Sequence, residues 1–307
     1  MLHTHKTNDA AHFLFSRGLV PGFEEASVMR REVKHGRSRF DFLLADGRGE
    51  IFVEVKSCTL FGKTVAMFPD AVTERGARHL RELAELAESG TRTAVVFMVH
   101  WPHAHTFMPD YHTDLNFAET FLSVRGRLNI VPLALSWQPD LSLLPQTSLL
   151  QIPWDYIGKE ARDLGSYLLV LDLDADRTLS FGKTGTAFFR KGFYLYVGSA
   201  MANLTARLER HQRLRKRFHW HIDWLRAHAR VRAALPIRAS ARLECSLSQS
   251  VGAMAEWSIP GFGCSDCSCS SHLFGMPTDP LTSKSFHEIL QYFRMDRYRE
   301  VEPCYSQ

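Results

Sequence analysis

Residues 39–56 read RFDFLLADGRGEIFVEVK. Successive side chains of an extended strand point to opposite faces. Arg39, Asp41 and Leu43 would therefore share one face, and Phe40, Phe42 and Leu44 the other. DGRG reads as a turn, after which Ile51, Val53 and Val55 alternate with Phe52, Glu54 and Lys56. The spacing predicts two adjacent strands rich in apolar surface that bring Asp41, Glu54 and Lys56 close together.

The flanking segments extend this into a domain. DAAHFLFSRGL is helix-like, VPGFE is a turn, and ASVMRREVK is a further strand ahead of SRFDFLLA and EIFVEVKS. TERGARHLRELAELAESG predicts a helix, with Thr73 as N-cap, Ala77, Leu80, Leu83, Ala84 and Ala87 at helical spacing, and Gly90 past its end. RTAVVFMVHW is a buried strand. The order α-β-β-β-α-β predicts a mixed sheet flanked by helices.

With 307 residues, 45% hydrophobic and 23% charged, the chain is long enough for two globular domains. No apolar run approaches the ~20 residues of a membrane helix, and MLHTHKTNDAAHF lacks the apolar region of a signal peptide, so a cytoplasmic location with no membrane partner is expected. Cysteines at 58, 245, 264, 267, 269 and 304 do not form a disulfide framework pattern in so long a chain.

Asp41 followed by Glu54-Val55-Lys56 matches the PD-(D/E)xK pattern, an acid on one strand and Glu-x-Lys on the next. Two carboxylates can hold Mg²⁺, while the ammonium binds a scissile phosphate and eases deprotonation of an attacking water. The same three residues also fit a plain ion pair on an edge strand. REVKHGRSRFDFLL, VEVKSCTL and AMFPDAVTERGARHLREL resemble the nuclease-like domain of the sugar fermentation stimulation protein A family, over about residues 19–135. The resemblance implies a restriction-endonuclease-like α/β (α+β) fold, nucleic-acid binding and Mg²⁺- or Mn²⁺-dependent nuclease activity. It gives Asp41, Glu54 and Lys56 the core roles, with Asp41 and Glu54 on the metal, and makes Glu32, Glu74 and Arg75 second-tier candidates. Glu32 also reads as a surface strand acid, and Glu74 as a first-turn acid favoured by the helix dipole. Full-length relatives resemble an OB-fold domain ahead of this one, and we expect this chain to lack it.

The second half opens with GSYLLVLDLDADRTLSFGK, strand-turn-strand, then a strand KGFYLYVGS and helices over ANLTARLERHQRL and ARLECSLSQSVGAM. GSY, YVG and the two helices resemble the GIY-YIG nuclease core, and YVGSAMANLTARLERH, HWHIDWL, RLECSL and IPGFGCSDCSCSSHLF resemble a related family of small uncharacterised domains. The resemblance implies that Tyr167, Tyr196 and Arg207 surround a phosphate and that Glu244 holds one divalent metal. GSY stands where GIY is usual, and the span between the tyrosines is longer than the usual hairpin.

Residues 207–242 carry eleven Arg and Lys against Glu209 and Asp223, with Phe218, Trp220 and Trp224 interleaved. Arg210, Arg213, Arg215, Lys216 and Arg217 suit a phosphate backbone, and equally a solvated helix face. His219 and His221 with Asp223 suit a metal, a phosphate or a buried polar network. Cys264, Cys267, Cys269 and His272 have zinc-compatible ligand types, but with no partner pair from a distant segment they read first as a reduced packed loop.

The expected layout is a nuclease-like domain over 1–137, a linker over 138–164 with three prolines, a GIY-YIG-related domain over 165–276, and a partly helical tail over 277–307. The expected function is a metal-dependent DNA or RNA nuclease, the alternative a non-cleaving DNA-binding regulator of sugar fermentation that keeps nuclease folds.

Overall fold

Strands β1 (Ser27–His35), β2 (Ser38–Asp46) and β3 (Gly49–Cys58) form an antiparallel meander, with Phe42 opposite Val53 and Leu44 opposite Ile51. The computed structural model describes residues 6–36, 38–181 and 185–301; Cys304 lies outside them. The chain divides into two units, Met1–Gly158 and Lys159–Gln307. Among the described residues, no helix is long and apolar enough to cross a membrane.

In the first unit α1 (Thr7–Phe15) precedes the meander, and β4 (Leu60–Phe61) and β5 (Val65–Phe68) follow it. Then come α2 (Glu74–Glu88), β6 (Arg92–Val99), β7 (Thr106–Pro109), α3 (Leu115–Ser123), β8 (Asn129–Trp137) and β9 (Leu143–Leu149), and the boundary between the units falls within α4 (Trp154–Glu160). The main sheet has the order β1-β2-β3-β6-β8-β9, parallel where β6 meets β3 and β8 and antiparallel elsewhere. β4, β5 and β7 make a separate small sheet. Parallel pairing requires crossovers, which α2 and α3 supply. One sheet face, carrying Phe42, Leu44, Ile51, Val53 and Val55, packs on Ala10, Ala11, Leu14 and Phe15 of α1. On the other face Phe97 meets Phe121 of α3 and Phe68 of β5, which packs in turn on Phe117 of α3. α2 is amphipathic, with Ala77, Leu80, Leu83 and Ala84 inward, and the Thr73 hydroxyl caps it by accepting from Gly76 N.

Part of the expected linker is regular structure. β9 pairs with β8 as the last strand of the main sheet, and its Pro145 is tolerated because an edge strand need not donate every N–H.

The second unit has a five-stranded antiparallel sheet, in the order β14 (Arg230–Arg238), β10 (Gly165–Leu173), β13 (Gly192–Ala200), β16 (Leu273–Met276) and β15 (Trp257–Ser258). The long span between the tyrosines is filled by a separate hairpin, β11 (Arg177–Phe181) and β12 (Gly185–Phe189). Helices α5 (Leu204–Gln212) and α6 (His221–Arg226) pack with Tyr167, Leu169, Tyr194 and Tyr196 on one sheet face. Helices α7 (Glu244–Met254) and α8 (Lys284–Gln291) pack with Leu168, Val170, Leu195 and Val197 on the other. The tail helix expected over SFHEILQYFRM corresponds to α8 and the helical turns after it.

Candidate functional site

The strict alternation expected across β2 breaks at Asp41. Phe42 packs on Phe15 of α1, whereas Phe40, two residues away, packs on Phe52 and His79 on the opposite face. Regular β2–β3 pairing stops at Phe42 and Val53. Beyond that point the Asp41 carboxylate takes the place of a strand partner: Oδ2 accepts from Val55 N at 2.8 Å, and Oδ1 from Asn8 Nδ2 at 2.8 Å. Glu32, between the β1–β2 pairs Arg31–Phe42 and Val33–Phe40, has φ 54, so the irregularity extends into β1.

Glu54 and Lys56 point to the α2 face from β3, an interior strand of the sheet. Lys56 Nζ lies 2.6 Å from Glu54 Oε1, and His79 Nδ1 lies 2.5 Å from that same oxygen. Arg75 Nε donates to His79 Nε2 at 3.4 Å, which leaves Nδ1 as the protonated nitrogen facing Glu54. Burial pushes the Glu54 carboxyl up, but His79 and Lys56 more than offset it and hold it below the usual range. Burial first, and then the charge of Glu54, pushes Asp41 the other way, above its usual value. A buried carboxylate raised by its like-charged neighbour is an electrostatic deficit that a cation would relieve. Glu54 Oε2 is buried with no hydrogen-bond partner. Carboxylate oxygens are the hard donors that a Mg²⁺- or Mn²⁺-type ion takes; Glu54 Oε2 lacks a protein partner, whereas both Asp41 oxygens accept protein hydrogen bonds.

Of the second-tier residues, Arg75 reaches the cluster through His79. Glu32 instead pairs with Arg39 at 3.1 Å on the surface, and Glu74 is exposed in the first turn of α2, where its charge favours the helix. Sequence reasoning missed His79. Its signal was a polar residue within the buried stripe Gly76, Ala77, Leu80, Leu83 of an amphipathic helix.

In the second unit Tyr167, Tyr196, Arg207 and Glu244 line one cavity of about 350 Å³, together with Ser199, His219, Trp220 and His221. Tyr167 lies opposite Gly198, and a Cβ there would come within 2.4 Å of the phenol, so the YVG glycine makes room for the ring. Tyr167 Oη is 2.9 Å from His211 Nε2, and His211 Nδ1 is 3.8 Å from the buried Asp223. Burial lowers the imidazole of His211 and raises both phenols, Tyr196 well above its ordinary value. His211 is a second residue that sequence reasoning missed, hidden in a helix chosen for its arginines. Arg207 stacks on Trp220, its Cζ 4.1 Å from the ring centroid. Glu244 begins α7; Ser199 donates to its Oε2, and His272 Nδ1 approaches its Oε1 at 3.3 Å. Burial raises Glu244, but His272 and Ser199 outweigh it and keep the carboxyl low. Glu244 and Asp266 are the carboxylates of the cavity wall, so a metal here would rest mainly on Glu244.

The basic segment divides. Arg210 makes a paired contact with Asp223 at 3.1 and 3.0 Å, and Lys216 Nζ sits 2.8 Å from the same carboxylate with its side chain 5% exposed. These two cations, expected at a phosphate backbone, are here engaged with a buried acid. Further along, Arg230 and Arg232 pair with Asp172, and Arg232 also with Asp279, from the edge strand β14. Arg213, Arg215 and Arg217 face solvent. Asp172 and Asp279 come from distant segments, which a count within 207–242 could not include, whereas Asp223 lies within it.

The cysteine set also needs correction. Cys267, Cys269 and His272 converge with Cys245 of α7, their ligating atoms all within 4.8 Å of one another, whereas Cys264 lies outside the group. All five described cysteines are free thiols.

Residues 5–140 match the family described as the sugar fermentation stimulation protein RE domain, and residues 166–295 match the domain of unknown function DUF123. A sugar fermentation stimulation protein homolog of Methanothermobacter thermautotrophicus is 36% identical over 130 residues, which is 42% of this chain and 54% of that protein. One from Desulforamulus reducens is 40% identical over 113 residues, 37% of this chain and 47% of that protein. The chain spans about half the length of the curated relatives it matches. A solved structure, Pyrococcus furiosus SfsA in complex with Ca²⁺, is 30% identical, covers 50% of this chain and 66% of its own, and superposes with a TM-score of 0.47. Residues 5–140 are thus similar to the domain described for sugar fermentation stimulation proteins, and residues 166–295 to DUF123.

Proposed function

We propose that this protein is a divalent-metal-dependent nuclease that hydrolyses phosphodiester bonds in DNA or RNA, with its principal centre at Asp41, Glu54 and Lys56. The observation that carries the reading is the unpartnered, buried Oε2 of Glu54, whose other oxygen lies 2.6 Å from Lys56 Nζ. When bound, the ion would supply Lewis-acid polarisation of the phosphate and a more acidic water. Asp41 and Glu54 hold the oxygen donors in place, Asp41 through Val55 N–H and Asn8, Glu54 through Lys56 and His79. Lys56 brings a positive charge to the scissile phosphate, and its side chain is 15% exposed, enough to meet a substrate. His79 fixes the orientation of Glu54 from α2.

The second unit is proposed as an auxiliary centre of the GIY-YIG kind. Tyr167 donates its phenolic proton to neutral His211, which leaves the oxygen free to orient a water, and Arg207, stacked on Trp220, faces the phosphate charge. Arg213, Arg215 and Arg217 supply backbone contacts.

The test is cleavage of labelled single- and double-stranded DNA and RNA in Mg²⁺, Mn²⁺ or EDTA. Cutting that needs Mg²⁺ or Mn²⁺ and stops in EDTA is expected. Tight DNA binding with no cleavage under any metal would replace this reading with that of a non-cleaving regulator.

A further inference from the structure

The loop from Pro260 to His272, PGFGCSDCSCSSH, is anchored at its ends by the buried side chains of Phe262, Ser271 and His272, while residues 264–270 between them are exposed or half-buried. Two backbone bonds close it, Gly261 N to Ser270 O at 2.9 Å and His272 N to Phe262 O at 2.8 Å. Within this closed loop Cys267 Sγ lies 3.4 Å from His272 Nε2, and Cys269 joins them. The fourth member, Cys245, comes from the first turn of α7, more than twenty residues upstream.

We propose that Cys245, Cys267, Cys269 and His272 form a tetrahedral zinc site that fastens this loop to α7. A tetrahedral ion with Zn–S of about 2.3 Å and Zn–N of about 2.0 Å sets its ligand atoms roughly 3.5–3.8 Å apart. The observed limit of 4.8 Å needs only small side-chain adjustments to reach that. Three thiolates and an imidazole are soft donors that select zinc over magnesium or calcium. Cys245 is exposed and Cys267 and Cys269 half-buried, which leaves an entry path for the ion.

The site bears directly on the neighbouring cavity. His272 turns Nε2 toward the cysteines and Nδ1 toward Glu244 Oε1, 3.3 Å away. Glu244 precedes Cys245 on α7 and is held from its other oxygen by Ser199. With Nε2 on zinc, Nδ1 would carry the proton and need only turn into line with Glu244 to complete a carboxylate–histidine–zinc arrangement, in which the outer carboxylate also lines the cavity. The zinc assignment stands whether or not the cavity cuts nucleic acid; only the importance of Glu244 to cleavage rests on the proposed function.

The test reads metal, not activity. Full-length protein purified without chelator should hold close to one zinc per chain by mass spectrometry. Cobalt substitution should give a thiolate charge-transfer band with tetrahedral d–d transitions. Cys264→Ser should keep both signals, Cys245→Ser should lose most of the zinc, and Glu244→Gln should weaken zinc binding about 10- to 100-fold in a chelator competition. Zinc retained in Cys245→Ser but lost in Cys264→Ser would overturn the ligand set. A metal-free protein with a disulfide between two of the three cysteines would overturn the site, and unchanged affinity in Glu244→Gln would overturn the link to the cavity. Since Cys245→Ser risks misfolding, the cobalt spectrum of the unmodified chain decides the thiolate ligation independently.

Discussion

His79 Nδ1 lies 2.5 Å from Glu54 Oε1, a helix-to-sheet contact that fixes the carboxylate whose other oxygen has no partner. Removing this imidazole leaves a buried charge with one donor fewer. His79→Ala should cost about 1–3 kcal/mol in urea unfolding. His79→Asn, which can keep a donor near Oε1, should recover part of the loss. Equal stability for all three proteins would show that the contact carries no weight.

His100 gives a pH signature in the same unit. Burial holds its imidazole down at about 4, with Trp137 Nε1 donating to Nδ1 at 3.1 Å and Ser57 Oγ 3.0 Å from Nε2. The unfolded chain titrates this group near 6.5 and so binds the extra proton first as pH falls. Stability should drop by roughly 3 kcal/mol from about pH 6.5 to about pH 4 and change little from this group below that. Unfolding at pH 7, 5.5 and 4 measures the slope, and His100→Asn should flatten it.

Gly198→Ala tests the seat of Tyr167. The added methyl would lie 2.4 Å from the phenol, so the ring must move at a cost of about 1–3 kcal/mol, and cleavage by the second unit should fall with it. Gly158→Ala, in α4 with nothing within 4 Å of the new methyl, should be neutral or slightly stabilising.

The basic segment predicts a division of labour. Charge reversal at Arg213, Arg215 and Arg217 should reduce the salt dependence of DNA binding by roughly 0.9 in slope for each duplex phosphate that is no longer neutralised. Arg210→Ala or Lys216→Ala should chiefly lower stability, because each strips a partner from the buried Asp223. An unchanged slope in the triple reversal would assign those arginines to solubility.

How much of this could be read in the sequence depended on distance along the chain. The apolar alternation flanking Asp41 and Glu54 announced two adjacent strands, and Thr73 and the leucine stripe announced α2. The break in alternation at Asp41 was hidden, because there a carboxylate takes the place of a strand partner, which residue types alone do not reveal. His79 and His211 reach their partners from helices 25 and 44 positions away, and only the fold sets those contacts. β9 and β14 carry prolines and polar or charged residues, so their strand character shows only in pairing with β8 and β10. Cys245 looked isolated until α7 and the loop before β16 brought it to the other three ligands.

The most direct test of the central claim is metal-dependent cleavage by Glu54→Gln beside Glu244→Gln, with DNA binding measured on the same samples. Glu54→Gln keeps the shape but removes the charge that Asp41 and Lys56 respond to. It is expected to lose on the order of 100-fold or more in turnover with binding nearly unchanged, and Glu244→Gln to abolish only what remains. If Glu54→Gln cuts as fast as the parent protein while Glu244→Gln is inactive, the first unit is a binding scaffold and the chemistry belongs to the second.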